Sequence, residues 1–125
     1  MKMILSIDQG TTGTTVAVIS PGGNVVSKCN QEFRQIFPKP GWVEHDPEDI
    51  WKSTENMIEQ ALKEGGVSKN QIAAIGITNQ RETVMVWDRE TGEPIHNAIV
   101  WQCRRTSEFC DKLKKKKAAV STIKK

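Results

Sequence analysis

The sequence predicts a mixed α/β domain, with three antiparallel strands, a helix and then a strand parallel to the first. Three observations lead there. Two short apolar runs, Ile4–Ile7 and Val16–Ile19, flank a tight polar loop, the pattern of strand, turn, strand. From Asp46 to Leu62, apolar residues recur at helical spacing behind a strong helix start. Finally, Ile72-Ala73-Ala74-Ile75-Gly76-Ile77 is almost wholly apolar, which predicts a central strand buried on both faces and parallel to the first.

The remaining elements follow in chain order. After the opening hairpin, Ser20-Pro21-Gly22-Gly23-Asn24 reads as a turn and Val25–Phe33 as a third strand. Residues 34–46 hold two prolines and Gly41 between aromatics, so they predict an ordered loop, with Trp42 anchoring it to the core. Asp46 is placed to cap the helix, Pro47 to occupy its first position, and Glu48 and Asp49 to face the positive end of its dipole. Ile50, Trp51, Thr54, Met57, Ile58, Ala61 and Leu62 form its apolar face, and Gly65-Gly66 stops it. Thr83–Trp87 predicts another strand, ending in the turn Asp88–Gly92. Residues 104–113 predict a helix with Phe109 and Leu113 on one face.

Asp8-Gln9-Gly10-Thr11-Thr12-Gly13-Thr14-Thr15 is the richest local signal. Glycines that adopt positive φ would let backbone N–H groups point at an anion, threonine hydroxyls add donors, and Asp8 can hold a divalent cation through water. The same residues also suit an ordinary hairpin with a polar tip. With no lysine and no GxxxxGK[ST] pattern, a Walker-type loop is excluded. Arg81-Glu82, between two strand-like runs, reads either as a surface ion pair or as donors beside an acceptor pair, the combination a polyol hydroxyl needs. Trp101 reads as core, or as an apolar floor for a small ligand. His45 and His96 lie far apart among loop-like residues, which points to structural or solvent roles.

A chain of 125 residues and 14.0 kDa has room for one small domain. No apolar run approaches the roughly 18 residues of a membrane helix. The start Met1-Lys2-Met3-Ile4 leads straight into a strand, and three cysteines without a CxxC pair fit reduced thiols in the cytoplasm. Residues 111–125 carry seven lysines against Asp111, a net +6, so residues 1–110 hold −3 of the total +3. The basic balance therefore belongs to the end of the chain, and lysines without interleaved aromatics give no argument for a nucleic-acid partner.

Asp8-Gln9-Gly10-Thr11-Thr12 resembles the first phosphate motif of the FGGY sugar kinases, a group of actin-like ATPases with ribonuclease H-like domains. Phe37–Pro47, Gly76–Thr83 and Asn97–Thr106 resemble the glycerol kinases among them. The resemblance covers residues 4 to about 113 and implies an incomplete first domain of the actin-like, ribonuclease H-like fold, a mixed sheet with flanking helices. Residues 114–125 are then a basic tail or truncated end, solvated and mobile. It implies transfer of the γ-phosphoryl group of ATP, with Mg²⁺, to glycerol. Asp8, Gly10, Thr11, Thr12, Gly13 and Thr14 would face phosphate and metal, Asp8 through water, and Arg81, Glu82 and Trp101 would converge on glycerol.

The catalytic base, the adenosine loop and the second phosphate loop are implied to lie in a longer enzyme, so this chain alone is expected to be inactive. An uncovered sheet face or edge, with poor solubility, is expected too. The alternatives are a kinase of the same family acting on another sugar or polyol, and a truncated product without catalysis. The resemblance implies no membrane partner and admits a homo-oligomeric full-length enzyme. One departure stands out: where glycerol kinases typically carry Ser-Ser-Arg or similar, this chain has Gly13-Thr14-Thr15. Thr15 thus replaces a positive charge, implying a weaker nucleotide contact or a different geometry there.

Overall fold

The computed structural model describes residues 1–116, 120–122 and 124. Strands β1 (Met3–Gln9), β2 (Gly13–Ile19), β3 (Val25–Glu32) and β5 (Ile72–Asn79) form one sheet in the order β3-β2-β1-β5. β1 and β2, and β2 and β3, are antiparallel, whereas β5 runs parallel to β1. A two-stranded sheet pairs β4 (Glu44–His45) with β6 (Ala98–Ile99). Helices α1 (Pro47–Glu64) and α2 (Ser107–Lys115) and a 3-10 turn at Lys69–Gln71 complete the elements among the described residues.

Strand alternation sets the layers. Met3, Leu5 and Ile7 of β1, with Thr14, Val16 and Val18 of β2, are buried beneath α1, while Ile4, Ser6 and Asp8 point to the opposite, open face. The core joins these side chains to Cys29, Met57, Ala61, Leu62 and Val67. Full burial of one such aliphatic side chain stabilises the fold by about 1.5–3 kcal/mol.

Helix α1 starts as its sequence demands. The Asp46 carboxylate accepts the Glu48 N–H at 3.0 Å, and Pro47 opens the first turn. At the other end Gly66, at φ +61°, lets the Val67 N–H reach Leu62 O at 3.0 Å and its own N–H reach Lys63 O at 3.1 Å. Ser53, Met57 and Ala61 lie against β2 and β3, where Ser53 Oγ meets Thr14 Oγ1 at 2.8 Å and Ser27 Oγ donates to Ala61 O at 2.6 Å. The apolar stripe of the helix is wider than this contact. Trp51 stays 58% exposed, and Ile50, Thr54 and Ile58 line a groove of about 640 Å³ shared with Ile75, Ile77 and Met85.

Several expectations need correction. β5 is parallel to β1 as expected, but it is the edge strand and not a central one, with Ile75 58% and Ile77 71% exposed. The reason is placement: α1 covers the β2–β3 half of the sheet and stops short of β5. The expectation of an uncovered face or edge thus matches the structure. Thr83–Trp87 does not form a strand; only Val84 and Trp87 make isolated bridges, to Ile99 and Pro94. Trp42 does not enter the core. It is half-buried under the Arg105 guanidinium, 3.9 Å from the ring centroid, with Lys39 Nζ at 4.7 Å. In α2, Phe109 remains 62% exposed. The expected basic end at residues 114–125 falls partly outside the described residues.

Gly10 and Gly13 also differ from expectation, since neither has a positive φ. Close approach explains them instead: a Cβ on Gly13 would sit 2.6 Å from Gln31 O, and one on Gly10 would sit 3.0 Å from Gly13 O. Gly13→Ala is therefore expected to lower unfolding free energy in urea by about 1–3 kcal/mol. Gly76→Ala, where an added Cβ meets nothing within 4 Å, should stay within about 0.5 kcal/mol of wild type. Equal effects would show that the β2–β3 approach is not what requires glycine.

Candidate functional site

The site grows from the carboxyl ends of β1 and β5, where a parallel pair leaves its loops open to ligands. Gly10 N–H donates to Gly13 O at 2.9 Å and Gln9 Nε2 to Gly10 O at 2.8 Å, closing the turn between β1 and β2. Asp8 is exposed on the open face, with Thr15 and Thr78 directly beside it in register. Thr12 is exposed; Gly10 and Thr11 are half-buried. Thr11 Oγ1 accepts the Trp101 indole N–H at 2.9 Å, which leaves the hydroxyl's own proton to donate.

Two residues expected to face phosphate lie inside the fold. Thr14 is fully buried with its hydroxyl on Ser53, because its register opposite Gln9 points it toward α1. Gly13 is buried against β3. Thr15 is on the open face, its hydroxyl accepting Asn30 Nδ2 at 2.8 Å.

The arm after β5 is anchored to the same place. Gln80 N–H donates to Gln9 O at 2.7 Å, and Gln80 Nε2 reaches Gln9 Oε1 at 3.4 Å. Arg81 and Glu82 follow at once, both exposed. Glu82 sits at φ +60°, the one non-glycine residue with positive φ among those described. Such a backbone costs on the order of 1–3 kcal/mol and persists only where neighbours over-determine it. Trp101 arrives by another route: β4–β6 pairing and the Val100 N–H to Val43 O bond of 3.1 Å carry it to Thr11. The loop thus receives the Arg81–Glu82 arm at Gln9 and Trp101 at Thr11.

Two residues hold this together: His45, for which the sequence pointed to a structural or solvent role and whose role is structural, and Glu44, which sequence reasoning missed. His45 is 0% exposed, with Phe33 edge-on at 5.0 Å. Its Nε2 lies 2.7 Å from Gln35 Oε1 and its Nδ1 3.1 Å from Gln80 Nε2. An amide NH₂ can only donate, so Nδ1 accepts and Nε2 carries the proton. Burial pushes the His45 pKa down, consistent with a neutral ring. Glu44 accepts Arg105 Nη2 at 2.7 Å and Asn97 Nδ2 at 3.0 Å, and these bonds hold its carboxyl below the usual glutamate range. The available sequence signal was two polar residues set directly before a helix cap, flanked by Val43.

Comparison with known proteins adds a family. The N-terminal domain of the FGGY family of carbohydrate kinases matches residues 3–125. Glycerol kinase 2 of Thermotoga maritima is 60% identical over 116 residues, 93% of this chain and 23% of that protein. The glycerol kinase of Rhizobium meliloti is 58% identical over 122 residues, 98% of this chain and 24% of that protein. The chain therefore spans about a quarter of the length of these curated relatives. Among solved structures, Plasmodium falciparum glycerol kinase with ADP is 42% identical at a TM-score of 0.79, covering 90% of this chain and 22% of that one. Ligand-bound xylulose kinase from Lactobacillus acidophilus, 24% identical at a TM-score of 0.83 over 91% of this chain and 22% of that one, shares the fold.

Burial of His45 sets a pH dependence. Its folded pKa lies below its unfolded value of about 6.5, so as pH falls past that value the unfolded chain binds the proton first and stability drops. The loss due to Glu44 begins only lower, as pH falls through the carboxylate range. Urea unfolding is therefore expected to show a less stable chain at about pH 5.5 than at about pH 7.5, with most of that difference gone in His45→Phe. A wild-type difference retained in His45→Phe would assign it to other groups.

Proposed function

Because the chain belongs to the FGGY family of carbohydrate kinases, we propose that it supplies the first phosphate loop and part of the polyol site of an ATP-dependent glycerol kinase. One observation carries this reading: the Trp101 indole is hydrogen-bonded to the Thr11 hydroxyl. Phosphoryl transfer requires the acceptor hydroxyl beside the phosphate it attacks. A floor for the polyol carbons joined directly to a phosphate-loop hydroxyl meets that requirement. Identity of 58–60% to glycerol kinases over nearly the whole chain favours glycerol as the acceptor.

Each group has a role in this reading. Gly10, Thr11 and Thr12 line the loop that takes the phosphates of ATP, Thr11 donating the proton its Trp101 contact leaves free. Gly13 and Thr14 shape the loop from within the fold. Asp8 fits a hydrated Mg²⁺: it is one exposed carboxylate beside the hydroxyls of Thr15 and Thr78 in register, and Mg²⁺ keeps several waters when bound. Such an ion supplies charge neutralisation for the transferring phosphoryl group. Arg81 donates to glycerol oxygens and Glu82 accepts from its hydroxyls, with Trp101 beneath the carbons. Thr15 offers a hydroxyl already engaged by Asn30, and no positive charge, to the nucleotide.

The γ-phosphoryl group passes to a terminal hydroxyl, giving glycerol 3-phosphate and ADP. The base that takes the hydroxyl proton belongs to the part of the enzyme beyond this chain, and cytoplasmic residence fits the free thiols Cys29, Cys103 and Cys110.

A chimera tests the assignment: this chain replaces the matching quarter of Thermotoga maritima glycerol kinase 2. It is expected to release ADP only with glycerol present. In that background Asp8→Ala should lower kcat by about 10²–10³-fold with little change in glycerol binding. Arg81→Ala should raise KM for glycerol about tenfold or more. Undiminished turnover in Asp8→Ala, or equal turnover on a ketopentose, would overturn the reading. The 125-residue chain by itself should show no glycerol-dependent ADP release in the ordinary enzyme range of about 1–10³ s⁻¹.

A further inference from the structure

We propose that His45 is a positioning residue that locks the phosphate loop and the Arg81–Glu82 arm into one unit; its consequence for substrate rests on the polyol reading above. The contacts form a directed chain. Gln80 Nε2 donates to His45 Nδ1 at 3.1 Å, His45 Nε2 donates to Gln35 Oε1 at 2.7 Å, and Gln35 Nε2 donates to Thr11 O at 3.1 Å. Every link uses a group with one possible polarity once Gln80 has donated. An imidazole is rigid and presents one donor and one acceptor on different edges, so displacement of either end is transmitted to the other.

The lock also accounts for the backbone at Glu82. Its φ of +60° needs a neighbouring segment that is held in place. Gln80 provides that: its main-chain N–H holds Gln9 O, its Nε2 holds His45, and its Oε1 accepts Thr83 Oγ1 at 3.1 Å. With His45 fully buried, releasing Gln80 would strand polar groups out of water. Arg81 and Glu82 therefore hold their places because Gln80 cannot turn.

Amide hydrogen exchange on the 125-residue chain reads the two ends separately. The Gln80 amide, bonded to Gln9 O, reports the arm; the Phe33 amide, bonded to Thr12 O at 3.2 Å, reports the loop. His45→Phe keeps a planar ring, somewhat larger than imidazole, and removes both bonds, so both amides should exchange about tenfold faster or more, while strand amides within β1 and β2 stay protected. His45→Asn retains an acceptor near the Nδ1 position, so the Gln80 amide should stay near its wild-type rate while Phe33 is released. His45→Gln retains a donor near the Nε2 position and should do the reverse. A purely structural role would move both amides together in both variants, and that result overturns the proposal even if His45→Phe fails to fold.

Glycerol titration followed at the Trp101 indole N–H supplies the substrate readout. Binding about tenfold weaker in His45→Phe than in wild type is expected, and equal binding would overturn the positioning role. No response in wild type would sink the polyol reading, while the exchange pattern still decides whether His45 locks loop to arm.

Discussion

The carbonyl of Gln9 closes β1 and at the same time accepts the Gln80 amide at 2.7 Å, continuing the β1–β5 pairing past the end of the strands. Without this bond the 80–83 arm would be free to swing away from the Gly10–Thr12 turn. Parallel pairing makes it possible, because two parallel strands end at the same edge of a sheet and discharge their loops side by side. The crossover that makes β5 parallel is α1 itself, whose N-cap Asp46 and whose C-terminal stop at Gly65-Gly66 set where the chain leaves and rejoins the sheet. The position of the site is thus a consequence of one helix of the right length.

Around that bond, buried polar contacts do what apolar packing alone does not. His45 and Glu44 are adjacent in β4, and each satisfies partners from distant segments: Gln35 and Gln80 for the imidazole, Asn97 and Arg105 for the carboxylate. Hydrogen bonds have direction, so these contacts specify one arrangement of the 35–45 loop against residues 80–105. The β4–β6 pair and Trp42 beneath Arg105 reinforce it. The sheet beyond is unfinished by comparison. Ile75 and Ile77 on β5 and Trp51 on α1 border an apolar groove, and the open face carries Ile4 to solvent. A chain spanning about a quarter of its relatives has here the start of an actin-like, ribonuclease H-like sheet rather than a closed two-faced one.

Much of this was legible in the sequence, because the signals were local. Apolar spacing, the Asp46-Pro47 start and the Gly65-Gly66 stop fixed α1; short apolar runs on either side of polar turns gave β1 to β3; the composition of Ile72–Ile77 gave a strand and its direction. The residue types of the site, an acid before a Gly/Thr turn and an Arg-Glu pair after a strand, were equally plain. Tertiary structure alone decided which of them face outward. Thr14 and Thr15 are the same residue type one position apart, yet pairing with β1 sends Thr14 to Ser53 in the core and leaves Thr15 beside Asp8 on the open face. The same limit hid the edge position of β5 and the role of His45. An apolar run does not state what covers it, and a histidine among loop residues does not name Gln35, ten positions before it, and Gln80, thirty-five after it. Such contacts depend on how distant segments meet, and no periodicity within either segment encodes that meeting.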